Sequence, residues 1–339
     1  MVRIKTEQLG NVIHEQFGIT VDDVHTHKKN RLYIVHAAGQ KYVIKLFSNV
    51  EDLKWQSKCI KQLEERQTKG IIPFHDNLQG TSVNKLNDTT AFAMFPYVNG
   101  RALDFNIYEE LRNGIGLLSH FHQKGQDIYG GKQRTLSKSF AKERIKTRLD
   151  LFKESIQGLN RGKKKSSLGL FSLLQRFEED VTDWADWFFT HLPEYELLQL
   201  ERQAQQNRQI VHFDLAPHNF LYAEEDSYYL LDYDLIQYSP VILDLSQYIH
   251  RSLLHYDWSI DVVHLLLTEY QKELKLSSEE VRLLPYFLLY PHDIIREWLG
   301  VWKQQSGFQV RNVIDLFQQL ENTWDARRKF VRACQAMVK

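Results

Sequence analysis

The sequence has almost no cysteine. Two thiols in 339 residues, Cys59 and Cys334, are too few for a disulfide framework or a four-thiolate zinc site, and they point to a reducing compartment. It has no surplus of either charge: 43 lysines and arginines balance 43 aspartates and glutamates, which removes the general electrostatic reason to expect DNA, RNA or an anionic membrane as partner. Nowhere do about 18 apolar residues run together, so no membrane-spanning helix is expected. The opening "MVRIKTEQLGNVIHEQFGI" is charged throughout, lacks the unbroken apolar centre of a signal peptide, and reads as an amphipathic helix. No internal repeat and no low-complexity tract is visible. A protein made and folded in the cytoplasm is the expectation. What the chain does have is core material: 43% hydrophobic and 12% aromatic residues, at a length that predicts two lobes on a prior of about 100 to 200 residues per domain.

After the first helix, "RLYIVHA" (31–37) and "QKYVIKLF" (40–47) alternate, are rich in β-branched residues and are parted by Ala38 and Gly39, which predicts an antiparallel hairpin. From Glu51 to about Lys69 the period becomes helical, with Leu53, Ile60 and Leu63 near one face, until Gly70 and Pro73 stop it. "TTAFAMFPYV" (89–98) reads as a further strand. Hairpin, helix and strand make a small antiparallel-sheet lobe over residues 1–98 of an α+β chain. Residues 99–339 read as a larger, mainly helical lobe. Apolar stripes mark helices over 108–125 and 170–192, and helices are expected again after 241, with Ser277, Ser278 and Glu280 suggesting a cap. The exception is 209–234, where "QIVHF", "FLYA" and "YYLLDYD" read as short strands around a loop.

That loop, "IVHFDLAPHNFLY" (210–222), sets His212, Asp214, His218 and Asn219 in a stretch otherwise apolar enough to be buried. With Asp232 at the end of the next apolar strand, the order is H-x-D-x-x-x-x-N and then a second aspartate. Phosphoryl transfer gives each residue type a job: a carboxylate orients the attacking hydroxyl and accepts its proton, and hard oxygen ligands hold Mg²⁺ on the phosphates of a nucleotide. Asp214 is the expected catalytic carboxylate. Asn219 and Asp232 are the expected magnesium ligands, the amide supplying a neutral oxygen that keeps two anions from crowding the metal. His212, at the strand-to-loop corner, belongs to the catalytic loop as a hydrogen-bonding brace rather than as the base, and His218 has no assigned role. Asp234 is either a second metal-side carboxylate or a turn residue. The same chemistry needs a cation on the α- and β-phosphates of ATP, and "YVIK" puts Lys45 where the strand motif V-A-I-K has its lysine. Its expected partner on the following helix is Glu64, with Glu65 the alternative and a solvated glutamate the plain reading.

"IVHFDLAPHNFLY" followed by "YYLLDYDLIQYSPVILDLSQYI" resembles the catalytic segment of the aminoglycoside phosphotransferase and choline kinase-like superfamily, which shares the protein-kinase fold, and "GIGLLSHFHQKG" resembles a helix of that group. "VIKLF", "FPYVNGR" and "DYD…LDLSQYIHR" look most like the CotS family of spore coat-associated proteins. The resemblance covers nearly the whole chain and is strongest over 210–250. It implies a bilobal kinase fold, ATP with its adenine against a hinge near Phe95 to Asn99, where Phe95 and Tyr97 are the cofactor-binding residues, and magnesium as cofactor. It also implies a protein of the mother-cell cytoplasm, deposited in the spore coat with other coat proteins as partners. Two features depart from the pattern. The loop "HTHKKN" has no glycine, leaving the cover over the phosphates to backbone amides or to Lys28 and Lys29. Phe213 stands where protein kinases place arginine, and the eleven residues between Asp232 and Asp244 leave no room for an activation loop. A small hydroxylated molecule is therefore the expected acceptor, rather than a peptide.

Between Lys138 and Lys165, ten lysines and arginines stand against three acids. This basic insert, about 138–167, is either a solvated helix followed by the flexible "NRGKKKSSLG", or a docking surface for an acidic partner or a phosphorylated substrate. Trp184, Trp187, Phe188 and Phe189 lie at helical spacing and suit core packing or a substrate cage. Asp244 is expected to cap the helix it opens and to brace the catalytic loop. His120 and His122 lack a metal-ligand pattern, so zinc is not expected. Three readings follow: a phosphotransferase using ATP and magnesium on a small-molecule hydroxyl; a structural spore coat protein that keeps a kinase fold without turnover; and a metal-dependent hydrolase, which needs more ligands than these loops carry.

Overall fold

The chain begins as its apolar period predicts, with helix α1 (Thr6–Phe17) burying Leu9, Ile13 and Phe17. In the computed structural model the described residues are 6–28, 31–87, 89–131, 135–160, 168–224, 227–305 and 307–338. They divide into two units, Met1–Gln133 with Asn207–Tyr238, and Arg134–Gln206 with Ser239–Lys339.

In the first unit, α1 leads into β1 (Val21–Lys28), β2 (Leu32–Ala37) and β3 (Gln40–Phe47). Ala38 and Gly39, at φ 51° and 74°, make the two-residue turn whose twist suits the β2–β3 hairpin. Helix α2 (Val50–Glu65) follows, its first turn capped by Asn49, whose side chain accepts from the amides of Glu51 and Asp52. Strands β4 (Asn84–Asn87) and β5 (Thr90–Pro96) complete an antiparallel sheet of order β1-β2-β3-β5-β4. Strand period sorts its two faces: Ile44, Leu46, Phe92 and Met94 pack with α1, whereas Phe47, Ala91 and Ala93 pack with Leu53 of α2. Lys45 sits opposite Ala93 and shares this second face, which is how a strand motif becomes a lysine aimed at chemistry. Next come β6 (Gly100–Ala102) and α3 (Tyr108–Lys124), and later the short strands β7 (Ile210–Val211), β8 (Phe220–Ala223), β9 (Ser227–Leu230) and β10 (Gln237–Tyr238). β7 pairs with β10, and β8 lies between β6 and β9, so the loop between β7 and β8 is anchored by a pairing at each end.

The second unit is helical: α4 (Phe140–Asn160), α5 (Leu168–Leu174), α6 (Glu178–His191), α7 (Glu194–Gln206), α8 (Val241–Leu253), α9 (Ile260–Tyr270), α10 (Ser278–Leu289), α11 (His292–Trp302) and α12 (Val310–Met337). The stripe over 170–192 is two helices rather than one. Arg176 and Phe177 donate to Leu173 and Leu174, three residues back, and the tightened turn lets Phe177 bury itself 4.4 Å from the ring of Trp324. Trp184 stacks on Trp324 at 5.0 Å and Phe188 is fully buried, so these aromatics belong to the core. Ser277 and Glu280 form the expected capping box at the start of α10. Asp244 is not a cap: it lies buried in the first turn of α8, and Pro240 holds the cap position. Among the described residues no helix is long and apolar enough to cross a membrane.

Two histidines in this core, His250 and His292, make the fold sensitive to acid. His250 is buried against Trp258, and burial, with help from the charges of Arg327 and Arg251 and against that of Asp293, brings its pKa down from 6.5 to about 4. Between those values the unfolded chain binds a proton that the folded chain refuses. Stability is therefore complete above pH 6.5 and declines as pH falls toward 4, by at most about 1.4 kcal/mol per pH unit from this group. Melting temperatures between pH 7.5 and 4.5 should fall steadily below pH 6.5, less steeply in His250→Gln; a flat wild-type profile from 7 to 5 would contradict the assignment.

Candidate functional site

The loop after β7 is built around His212. Its Nε2–H donates to the Leu231 carbonyl at 2.8 Å, while Nδ1 accepts from the Asp214 amide at 3.3 Å. A carbonyl only accepts and an amide N–H only donates, so the two contacts together fix a neutral ring protonated at Nε2. The ring is wholly buried between Phe121 and Tyr233, which leaves His212 to brace the loop. Phe213 takes a left-handed φ of 65°, a conformation that costs a bulky side chain about 1 kcal/mol or more. That reversal, followed by a half-buried Asp214, is the kind of local strain a rigid loop stores at a functional position.

Asn219 closes the same loop. Its Nδ2 donates to the Asp214 carbonyl at 2.8 Å, which orients the amide, and Oδ1 has no hydrogen-bond partner among the described residues, although the residue is buried. Its carbonyl accepts from the Leu231 amide at 2.8 Å, which sets Asn219 beside the segment carrying Asp232. Asp232 is again left-handed, at φ 65° and ψ 69°, and the 3₁₀ turn Tyr233–Leu235 brings Asp234 round to the same side. The Nζ of Lys45, only 8% exposed, lies 2.6 Å from Oδ1 of Asp232 and 2.6 Å from Oδ1 of Asp234. Arg31 pairs with the other oxygen of Asp234. Burial disfavours ionisation of Asp232, but the charge and hydrogen bond of Lys45, with the charge of Arg31 behind, hold its pKa below the ordinary value.

The structure thus brings together Lys45, His212, Asp214, Asn219, Asp232 and Asp234. It does not bring Glu64 to Lys45. Glu64 shares the Leu53 and Ile60 stripe but stands exposed in the last turn of α2, and the lysine is held by the two aspartates instead. The α2 side chain that reaches the Asp234 segment is Trp55, whose Nε1 donates to the Ile236 carbonyl at 3.0 Å. Phe95 is half-buried on the Lys45 face, packed on Phe74 at 4.6 Å. The Tyr97 amide is already committed to the Lys41 carbonyl at 3.0 Å, so an adenine edge there would have to use other groups. Lys29 and Asn30 lie outside the described residues, as does the side chain of Lys28, and His218 is exposed. Sequence reasoning missed Arg31, whose partner is 203 residues away and leaves no local signal.

Candidate oxygen ligands, a lysine on their flank and a carboxylate on the neighbouring loop make a donor set suited to phosphoryl transfer. The family model described as the phosphotransferase enzyme family matches residues 27–284, a span that contains every one of these side chains. The chain belongs to that family. A search of curated protein sequences gives no match. Among solved structures, this phosphotransferase-family chain is similar to an aminoglycoside phosphotransferase from Alicyclobacillus acidocaldarius, with TM-score 0.79 and 16% identity over 100% of this chain and 97% of that one. It is similar to a spectinomycin phosphotransferase bound to ADP and spectinomycin, at 0.69 and 15% over 99% of each chain. A third is an amicoumacin kinase with AMP-PNP, Ca²⁺ and its antibiotic, at 0.60 and 15% over 96% of this chain and 94% of that one. At these identities the likeness establishes the fold, which is the kinase-like α+β fold.

The residues present fit a magnesium nucleotide. Among the described residues no three His, Cys, Asp or Glu side chains form a metal cage. Magnesium needs no such cage: it binds through one or two carboxylates and takes its other oxygens from phosphates and water. The unpartnered Oδ1 of Asn219 and the second oxygen of Asp232 are suited to that smaller share.

Proposed function

We propose that this phosphotransferase transfers the γ-phosphoryl group of ATP to a hydroxyl of a small molecule, with Mg²⁺ as cofactor. The observation that carries the reading is the meeting of Lys45, Asp232 and Asp234 beside an Asn219 oxygen that has no partner among the described residues. Lys45 is positioned to bind the nucleotide phosphates, and Asn219 and Asp232 to hold the cation. A bound divalent cation neutralises charge on the β- and γ-phosphates. Asp214 takes the proton of the acceptor hydroxyl as its oxygen bonds to the γ-phosphorus, while the bond from that phosphorus to the bridging oxygen breaks and ADP leaves. A small acceptor is supported by the short Asp232 to Asp244 interval and by the antibiotics named with the similar structures.

Mg-ATP should raise the melting temperature of the wild type. In Asp232→Ala, with the unliganded fold intact, affinity should fall at least about 10- to 100-fold. No response of the wild type to ATP at any magnesium concentration would sink the reading. A panel of amino alcohols, sugars and aminoglycosides, added after Mg-ATP, then searches for the acceptor.

We further infer, from the likeness of "VIKLF", "FPYVNGR" and "LDLSQYIHR" to CotS proteins, a role in spore coat formation among other coat proteins, beginning in the mother-cell cytoplasm. A kinase fold kept without turnover is the second reading, and the glycine-free "HTHKKN" favours it. An Asp214→Ala, Asp232→Ala double variant in a deletion strain separates the two. Full restoration makes turnover dispensable, and failure to restore removes the purely structural role.

A further inference from the structure

The basic stretch of α4 resolves into two kinds of residue. Lysines on its outer face are neutralised locally: Lys142 pairs with Glu194, Lys146 with Asp150 at 2.9 Å, and Lys153 with Asp186 at 2.7 Å. Arg148 is different. It is half-buried and makes no ion pair or hydrogen bond with any described residue, and the charges that act on it most strongly are the guanidinium groups of Arg144 and Arg296. Burial, with those like charges, pushes its pKa down to about 10.

Helix packing explains why these cations meet. Trp298 of α11 donates to the Ser155 hydroxyl of α4 at 2.7 Å, and the Trp302 ring lies over Gly158, 3.8 Å from where a Cβ would stand. Positions 155 and 158 thus match 298 and 302, so the helices run parallel, and Arg148 falls level with the start of α11. Arg144 lies one turn before Arg148 on α4, and Arg296 one turn into α11. Tyr290, at that same start, is 1% exposed, and its hydroxyl has no hydrogen-bond partner among the described residues, although the residue is near enough to Arg148 to feel its charge. The adjoining His292 adds no positive charge: burial and the charges of His250, Arg148 and Arg144 take its pKa down to about 3.

A buried hydroxyl with nothing to bond and a half-buried arginine facing its own kind are both unfavourable alone, and one anion relieves both. We propose that Arg144, Arg148, Arg296 and Tyr290 form a binding site for a phosphate group within the helical unit. Arg296 also has Glu297 beside it at 3.7 Å, so the donors facing Arg148 are partly offset; the guanidinium groups and the phenol still offer directed donors for the acceptor oxygens of a phosphate. The phosphate could arrive free or as the phosphoryl end of a small ester, and the chemistry of recognition is the same.

Thermal shift and calorimetry with inorganic phosphate test the site, against chloride at equal ionic strength. Phosphate should stabilise the wild type and the Lys146→Gln control alike. Arg148→Gln should bind it at least tenfold more weakly and Tyr290→Phe at least threefold, while both keep the Mg-ATP response that Asp232→Ala loses. With glycerol phosphate, tighter binding than free phosphate supports an ester as the natural ligand, and weaker binding supports the free anion. No phosphate-specific effect in the wild type, or an Arg148→Gln variant that binds as the wild type does, overturns the proposal and leaves the nucleotide site untouched.

Discussion

Asp214→Asn should lower kcat for phosphoryl transfer by about 10²- to 10⁴-fold while leaving the Mg-ATP affinity within a factor of about three. The substitution keeps the shape of the side chain and removes only its capacity to take a proton. Nothing else in the loop depends on that capacity: the backbone of Asp214 gives its amide to His212 and its carbonyl to Asn219, contacts that an asparagine retains. The left-handed Phe213 that turns Asp214 outward is likewise unaffected. The loss should therefore fall on the chemical step alone. It is read as ADP release in the presence of whichever acceptor the panel identifies. A variant with more than a tenth of wild-type turnover would remove Asp214 from the role of base.

Asp293→Ala should destabilise the helical unit by about 3 to 5 kcal/mol. Arg327 of α12 is 1% exposed and donates to both oxygens of Asp293, at 2.7 and 2.8 Å, while its guanidinium lies 4.1 Å from the centre of the Trp258 ring. Burial alone would raise the Asp293 pKa, yet the Arg327 charge holds the carboxyl well below the usual carboxylate range. The pair is therefore ionised, and removing the anion strands a cation where water cannot reach it. Aromatic faces around Arg327 recover only part of that cost. For a unit of this size the loss corresponds to roughly 6 to 20 °C in melting temperature, read by circular dichroism. Replacing both partners by apolar residues, as in Asp293→Leu with Arg327→Met, should restore much of it, because no charge is then left buried. A loss below about 1 kcal/mol in the single variant would mean that the pair is hydrated.

What the sequence made legible follows from how local each signal is. The spacing of His212, Asp214 and Asn219 lies within one loop, and a loop pinned by strands at both ends keeps sequence neighbours as spatial neighbours. The β2–β3 hairpin and the α10 capping box are also contained within a few residues. Strand β1 was not legible: "VDDVHTHK" has no apolar alternation, because an edge strand has one neighbour and less to bury. The stripe over 170–192 showed the apolar period but not the break at 175–177, which depends on Trp324. Glu64 failed for a related reason, since a helical period selects a face but says nothing of how far along it a neighbour lies. The pairs Lys45 with Asp232 and Arg31 with Asp234 span 187 and 203 residues, and no pattern of period or spacing reaches so far.

On the proposed function, those two pairs would also govern how nucleotide and cation bind. Asp232, Lys45, Asp234 and Arg31 form a chain of alternating charge, two anions and two cations, in which each has an opposite partner. A metal ion arriving alone would have to compete with Lys45 for Asp232, and a nucleotide arriving alone would have to compete with the aspartates for Lys45. If they bind together the exchange would balance, because Lys45 would hold the phosphates while Asp232 is released to hold the cation. On the proposed reading, nucleotide and cation would be thermodynamically linked, each raising the affinity for the other by the same factor, and the ion-pair chain would disfavour either one without its companion.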